Sequence, residues 1–88
     1  MKYHNWDKEK NKKLKKERNI SFEEIIFCIK NDGLIKIIEH PNKEKYPNQK
    51  MYILKCKEYF YLVPFVENEK EVFLKTIIPS RKIKNQYS

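Results

Sequence analysis

The sequence predicts an α+β domain: two N-terminal helices packed on one face of a four-stranded, mainly antiparallel sheet, with a short basic tail after it. Three observations carry the prediction. A capped apolar stripe over residues 21–29 reads as an amphipathic helix. Four apolar runs follow Gly33, and all the helical patterning precedes all the strand patterning. At 88 residues, 40% of them hydrophobic, the chain has the size of one domain with one modest core, and residues 1–88 show no linker or repeat that would divide it.

The elements follow in order. Asp7 is a plausible N-cap for a helix over Lys8–Arg18, where KEKNKKLKKER holds strong helix formers and no Gly or Pro. Its apolar anchors are Trp6 and Leu14, so most of its circumference faces water or a partner. Ser21 and Glu24 have capping-box spacing, and Ile20 with Ile25 matches a hydrophobic staple. Phe22, Ile25, Ile26 and Ile29 then recur on one face, and Gly33 is the expected stop. Phe27 lies opposite that face; it packs on the first helix or meets a partner. Strands are expected at Leu34–Glu39, Lys50–Cys56, Tyr59–Val66 and Glu71–Ile78, separated by a polar loop at 40–49 and tight turns at Lys57-Glu58 and 67–70. Tyr59–Val66 is almost wholly apolar, as in a central strand, and Pro64 within it requires a bulge or a missing ladder bond. Ile25, Ile26, Leu62, Val63 and Phe73 are expected in the core.

Composition narrows the function classes. No stretch reaches the roughly 20 apolar residues that span a bilayer, and the Lys-rich start lacks the apolar run of a secretory signal, so no membrane role and a cytoplasmic location are expected. Cys28 and Cys56 have neither CxxC spacing nor neighbouring His, which argues against a zinc site and reads as two buried or half-buried thiols. The net charge is +8, and its placement is uneven: residues 1–20 hold eight Lys or Arg against three acids, 21–78 nine against nine, and 79–88 three against none. Basic ends on a neutral middle suit a polyanion, nucleic acid first; a solvated Lys-rich surface is the bland alternative.

The sequence carries no glycine-rich phosphate loop, nucleophile elbow or HExxH. One reaction needs only the inventory present. RNA is cut without a metal when its own 2′-OH attacks the adjacent phosphate, given a base, an acid and cations for the extra transition-state charge. Arg81 is the first candidate, because it is one of two Arg beside eighteen Lys and its planar fork suits a phosphate. His40 is the candidate acid or base, since an imidazole ordinarily titrates near pH 6.5, at about the right point for proton transfer. Tyr46 and Glu44 are alternatives from the same loop. Lys75, Lys82, Lys84 and Lys45 are candidate phosphate contacts. No cofactor and no metal are required. The bland readings are a surface His before a Pro and, for Lys75, an edge-strand charge that guards against aggregation.

Three stretches in order carry a family resemblance. Trp6-Asp7-Lys8-Glu9-Lys10-Asn11 is like W-D-x-x-K-x, and Arg18-Asn19-Ile20-Ser21-Phe22-Glu23-Glu24 is like K-H-G-I/V-S-F-E-E. Glu39-His40 with Glu44-Lys45-Tyr46 forms the second, and Ile77-Ile78-Pro79-Ser80-Arg81-Lys82, like R-I-I-S-A-R-R/K, the third. The chain thus resembles the BrnT family of bacterial toxins, with a RelE-like ribonuclease fold. It departs at Thr76, where the family often has Arg, at Pro41, and at Pro79-Ser80. The resemblance implies a type II toxin: an endoribonuclease that inhibits translation and growth by cutting mRNA, on or off the ribosome. It also implies neutralisation by a co-encoded antitoxin, often a ribbon-helix-helix DNA binder, in a heterotetramer or larger complex. The competing reading is a non-catalytic basic module that binds RNA or a protein on the same fold.

Overall fold

The computed structural model describes residues 3–80. Strand β1 (Tyr3–Trp6) leads into α1 (Lys8–Arg18) and α2 (Phe22–Cys28), which one wide helical turn at Ile29–Gly33 prolongs. Five strands follow: β2 (Leu34–Glu39), β3 (Lys50–Cys56), β4 (Tyr59–Glu67), β5 (Glu71–Leu74) and β6 (Ile78–Pro79). They form one sheet in the order β1-β5-β4-β3-β2, with β6 also on β4. All pairings are antiparallel except β1 with β5.

The α+β layering is as the sequence predicts, but among the described residues the sheet has six strands rather than four, and the helices come after the first of them. β1 escapes sequence reading because Tyr3-His4-Asn5-Trp6 has no apolar run. Its partner supplies the reason to be a strand: it pairs with β5 from Tyr3↔Glu71 to Trp6↔Leu74, a contact between opposite ends of the chain.

The N-caps read from the sequence are formed. Asp7 Oδ1 accepts the N–H groups of Glu9 and Lys10 at 2.9 and 3.3 Å, and Ser21 Oγ accepts that of Glu24 at 3.2 Å. α1 stops at Asn19, which takes the left-handed conformation at φ 54°, tolerable for Asn. At the end of α2 the left-handed residue is Asp32, at φ 66°, and not Gly33. Gly33 is needed for space: a Cβ there would stand 2.5 Å from the Cys28 carbonyl oxygen and 2.6 Å from that of Lys55.

The main core lies between the helices and one sheet face. Phe22, Ile25, Leu54, Val63, Leu74 and Ile77 are fully enclosed, and Trp6 stacks on Phe22 with ring centroids 5.8 Å apart. Ile26 only borders this core, Leu62 sits in a small cluster with Ile53 and Phe60 on the other face, and Phe73 is half-buried. Of the five expected core residues, Ile25 and Val63 are the enclosed ones. Phe27 is exposed, so it is not packed on α1.

The expected Glu71–Ile78 strand is broken in two. In an extended strand a residue's N–H and C=O point the same way. The Pro64 carbonyl accepts the Lys75 N–H at 2.8 Å, so the side of Pro64 that has no N–H to donate faces this edge. Beyond that bond Thr76 and Ile77 leave the ladder, and pairing resumes at Ile78 with Leu62.

The two cysteines are not free thiols: Cys28 and Cys56 are joined in a disulfide, with Cα atoms 5.5 Å apart. Packing of α2 on β3 brings the end of the helix to the end of the strand, a proximity that their sequence separation of 28 does not reveal.

Candidate functional site

Side chains alternate along β4 and β5. Val63, Phe65, Val72 and Leu74 face the helices, so Pro64 and Phe73 face the other way. On that side an open cleft of about 530 Å³ forms. The β2–β3 loop brings His40, Tyr46 and Gln49 to it, the start of α1 brings Asp7 and Lys10, and the broken edge brings Lys75, Thr76 and Ile78.

The loop is shaped around Asn42. Its carbonyl accepts the Tyr46 N–H at 2.9 Å, its side-chain oxygen accepts the Lys45 N–H at 3.2 Å, and its own N–H donates to His40 Nδ1 at 3.1 Å. The backbone N–H of His40 closes the neck on the Gln49 carbonyl at 3.0 Å. These bonds bring the His40 and Tyr46 rings to 4.4 Å, with the Lys45 ammonium 5.4 Å from the Tyr46 centroid. With Nδ1 accepting, the neutral His40 ring carries its hydrogen on Nε2, a tautomer assigned from this hydrogen bond.

Of the sequence-derived candidates, His40, Tyr46 and Lys75 thus share one cleft. Lys45 stands over Tyr46 outside the lining, and Glu44 is exposed on the loop and does not line it. Arg81, Lys82 and Lys84 lie outside the described residues. The sequence places Lys75 and Thr76 on opposite faces of a strand. Both line the cleft, because the break in the ladder beside Pro64 cancels the alternation there.

Lys10 and Gln49 carry no local sequence signal that points to the cleft. Lys10 is one of many lysines on a helix of nearly uniform polarity, and only the docking of α1 selects it. Two ammonium groups, an imidazole and a phenol around an open cleft can bind a phosphate and exchange protons with it. Among the described residues no cluster of His, Cys, Asp and Glu is arranged to hold a metal ion. Compared with family models, with curated proteins and with solved structures, the chain matches none.

Proposed function

We propose that the chain is a metal-independent endoribonuclease of the type II toxin class, inhibiting translation and growth by cutting mRNA and held in check by a co-encoded antitoxin. The observation that supports this reading best is that His40, Tyr46, Lys10 and Lys75 share one open cleft in a chain of net charge +8. The 2′-oxygen of the substrate attacks phosphorus and the bond to the 5′-oxygen breaks, leaving a 2′,3′-cyclic phosphate and a 5′-hydroxyl. Lys10 and Lys75 offset the charge that builds on the phosphate, with Arg81 as the bidentate clamp. His40 and Tyr46 handle the two protons, one leaving the 2′-OH and one arriving at the 5′-oxygen. The antitoxin of this reading is a ribbon-helix-helix DNA binder in a heterotetramer or larger complex. The compartment of this reading is the cytoplasm.

One observation favours the alternative, a non-catalytic module that binds RNA or a protein. His40 Nδ1 is occupied by the Asn42 N–H, so the ring must release that bond before it accepts a proton there. Purified protein incubated with total RNA, with and without EDTA, separates the readings. The ribonuclease reading expects cyclic-phosphate ends in both samples and a roughly 10²–10⁴-fold loss on His40→Ala. RNA left intact in both samples would reject it. In cells, induction should arrest growth and Arg81→Ala should relieve the arrest. Undiminished toxicity of that variant at matched protein level removes Arg81 from the site.

A further inference from the structure

A second cleft, of about 610 Å³, opens between the C-terminal end of α1, the β3–β4 hairpin and β6. Its walls combine two tyrosines with two cations: Tyr59 and Tyr61, Arg18 and Lys57. Tyr59 is 66% exposed although it carries a large apolar ring. Tyr61 is buried, which pushes its hydroxyl pKa up and keeps it a neutral donor. Arg18 reaches across to the Ile77 carbonyl, 3.4 Å away, and among the described residues no carboxylate pairs with it. Lys57 is held by Glu24 at 2.7 Å, so Arg18 carries the less compensated charge.

The turn that presents Lys57 and Tyr59 is built against local preference. Lys57 and Glu58 both adopt the left-handed conformation, at φ 53° and 70°, in the two-residue hairpin where Asn-Gly is the favoured pair. Exposed aromatic faces stack on bases of any identity, and an arginine fork beside one meets the adjoining phosphate.

The two clefts are not separate. A smaller one between them shares Lys10 and Thr76 with the His40 cleft and Arg18 with the Tyr59 cleft. Lys10, Lys13, Leu14, Glu17 and Arg18 recur at helical spacing along this seam, three cations to one carboxylate. From Lys10 to Arg18 the helix rises about 12 Å, the reach of a short stretch of single strand.

We propose that the Tyr59 cleft is a nucleotide subsite, with a base stacked on Tyr59 and its phosphate on Arg18, joined along α1 to the His40 cleft as one track for single-stranded RNA. The proposal deepens the ribonuclease reading and rests on it for the identity of the strand.

The test is equilibrium binding of the full chain to a fluorescent eight-nucleotide oligoribonucleotide. All its 2′-hydroxyls are methylated, so that it cannot attack its own phosphates, and adenosine monophosphate serves as a second probe. Tyr59→Ala should weaken oligonucleotide binding about 5- to 160-fold, the range of one lost base stack, and Tyr59→Phe should keep it within about twofold of wild type. The paired change Lys57→Asn with Glu58→Gly should raise the thermal midpoint, because the turn relaxes, and yet weaken binding; a merely structural role for these residues cannot give both. Weak binding of the mononucleotide with the same Tyr59 dependence supports the base-and-phosphate site itself, and binding of the oligonucleotide alone supports the track. If wild type binds the oligonucleotide and Tyr59→Ala binds it equally well, the subsite is rejected while the ribonuclease reading stands. If wild type binds neither probe and cuts no RNA, both fall. Tyr59-dependent binding without cleavage leaves the subsite standing and rejects only the ribonuclease.

Discussion

The side-chain oxygen of Asn11 on α1 accepts the backbone N–H of Phe22, the first residue of α2, at 2.8 Å. The same carboxamide donates to Glu23 Oε1, and Lys15 adds an ion pair to that carboxylate at 3.2 Å. Asn11 is buried, and it satisfies a helix-start N–H that would otherwise be left without a partner. The sequence segments Trp6–Asn11 and Arg18–Glu24 therefore meet in a structural clasp.

Asn11→Ala should cost about 1–3 kcal/mol, because it strands a buried donor. Lys12→Ala, at the exposed neighbouring position, should change stability by less than about 0.5 kcal/mol. Urea titration of both variants checks this; equal midpoints would show that the clasp contributes nothing.

Ile25 is fully enclosed and Ile26 only borders the core. Ile25→Ala should lose about 2–5 kcal/mol, enough to unfold much of a domain this small, and Ile26→Ala clearly less. The reverse ranking in denaturation would mean that the α2 stripe is rotated from the face described.

The Cys28–Cys56 bond closes a loop with a sequence separation of 28, for which chain entropy gives about 3–4 kcal/mol. Removing both thiols by Cys28→Ser and Cys56→Ser should lower the thermal midpoint. Adding reductant to the parent should lower it by a similar amount while leaving the double variant unchanged. A parent insensitive to reductant, with two alkylatable thiols by mass, would show that the bond does not form in solution.

His4 on β1 is half-buried, and burial first, then the charge of Lys30, holds its imidazole pKa below the ordinary 6.5. The unfolded chain therefore binds this proton more readily than the folded one. The stabilising contribution is complete above about pH 6.5 and is lost as pH falls from there through the folded value. Melting should occur at a lower temperature at pH 5 than at pH 7.5, and His4→Gln should flatten that difference. Identical pH profiles for the two proteins would remove His4 as its source.

Lys10 and Lys75 are exposed cations at the His40 cleft. If each meets one phosphate of a single strand, Lys10→Ala and Lys75→Ala should each reduce the slope of log affinity against log salt by about 0.7. Binding measured between low and moderate salt gives that slope. Lys8→Ala, on the same helix but outside the clefts described here, should leave it unchanged.

The elements that sequence reading finds are those whose cause lies within a few residues. Ser21 caps a helix through a bond three residues ahead, Lys57-Glu58 joins two apolar runs that can only fold back on each other, and Pro64 interrupts the ladder wherever its strand lies. Bounds for β2 and β3 follow from such signals, as do the two-layer order and the placing of His40 and Tyr46 in one loop. Tertiary structure alone decides the rest, because the cause lies far along the chain. Tyr3–Trp6 is a strand only because β5 offers it an open edge. Cys28 and Cys56 meet only because α2 lies on β3, and Lys10 differs from its neighbouring lysines only by where α1 docks. The His40 cleft is drawn from four separate parts of the chain, and the Tyr59 cleft needs the end of a helix, a hairpin and a broken edge strand at once. Periodicity and spacing report which face a side chain takes on its own element; they do not report which other element that face will meet.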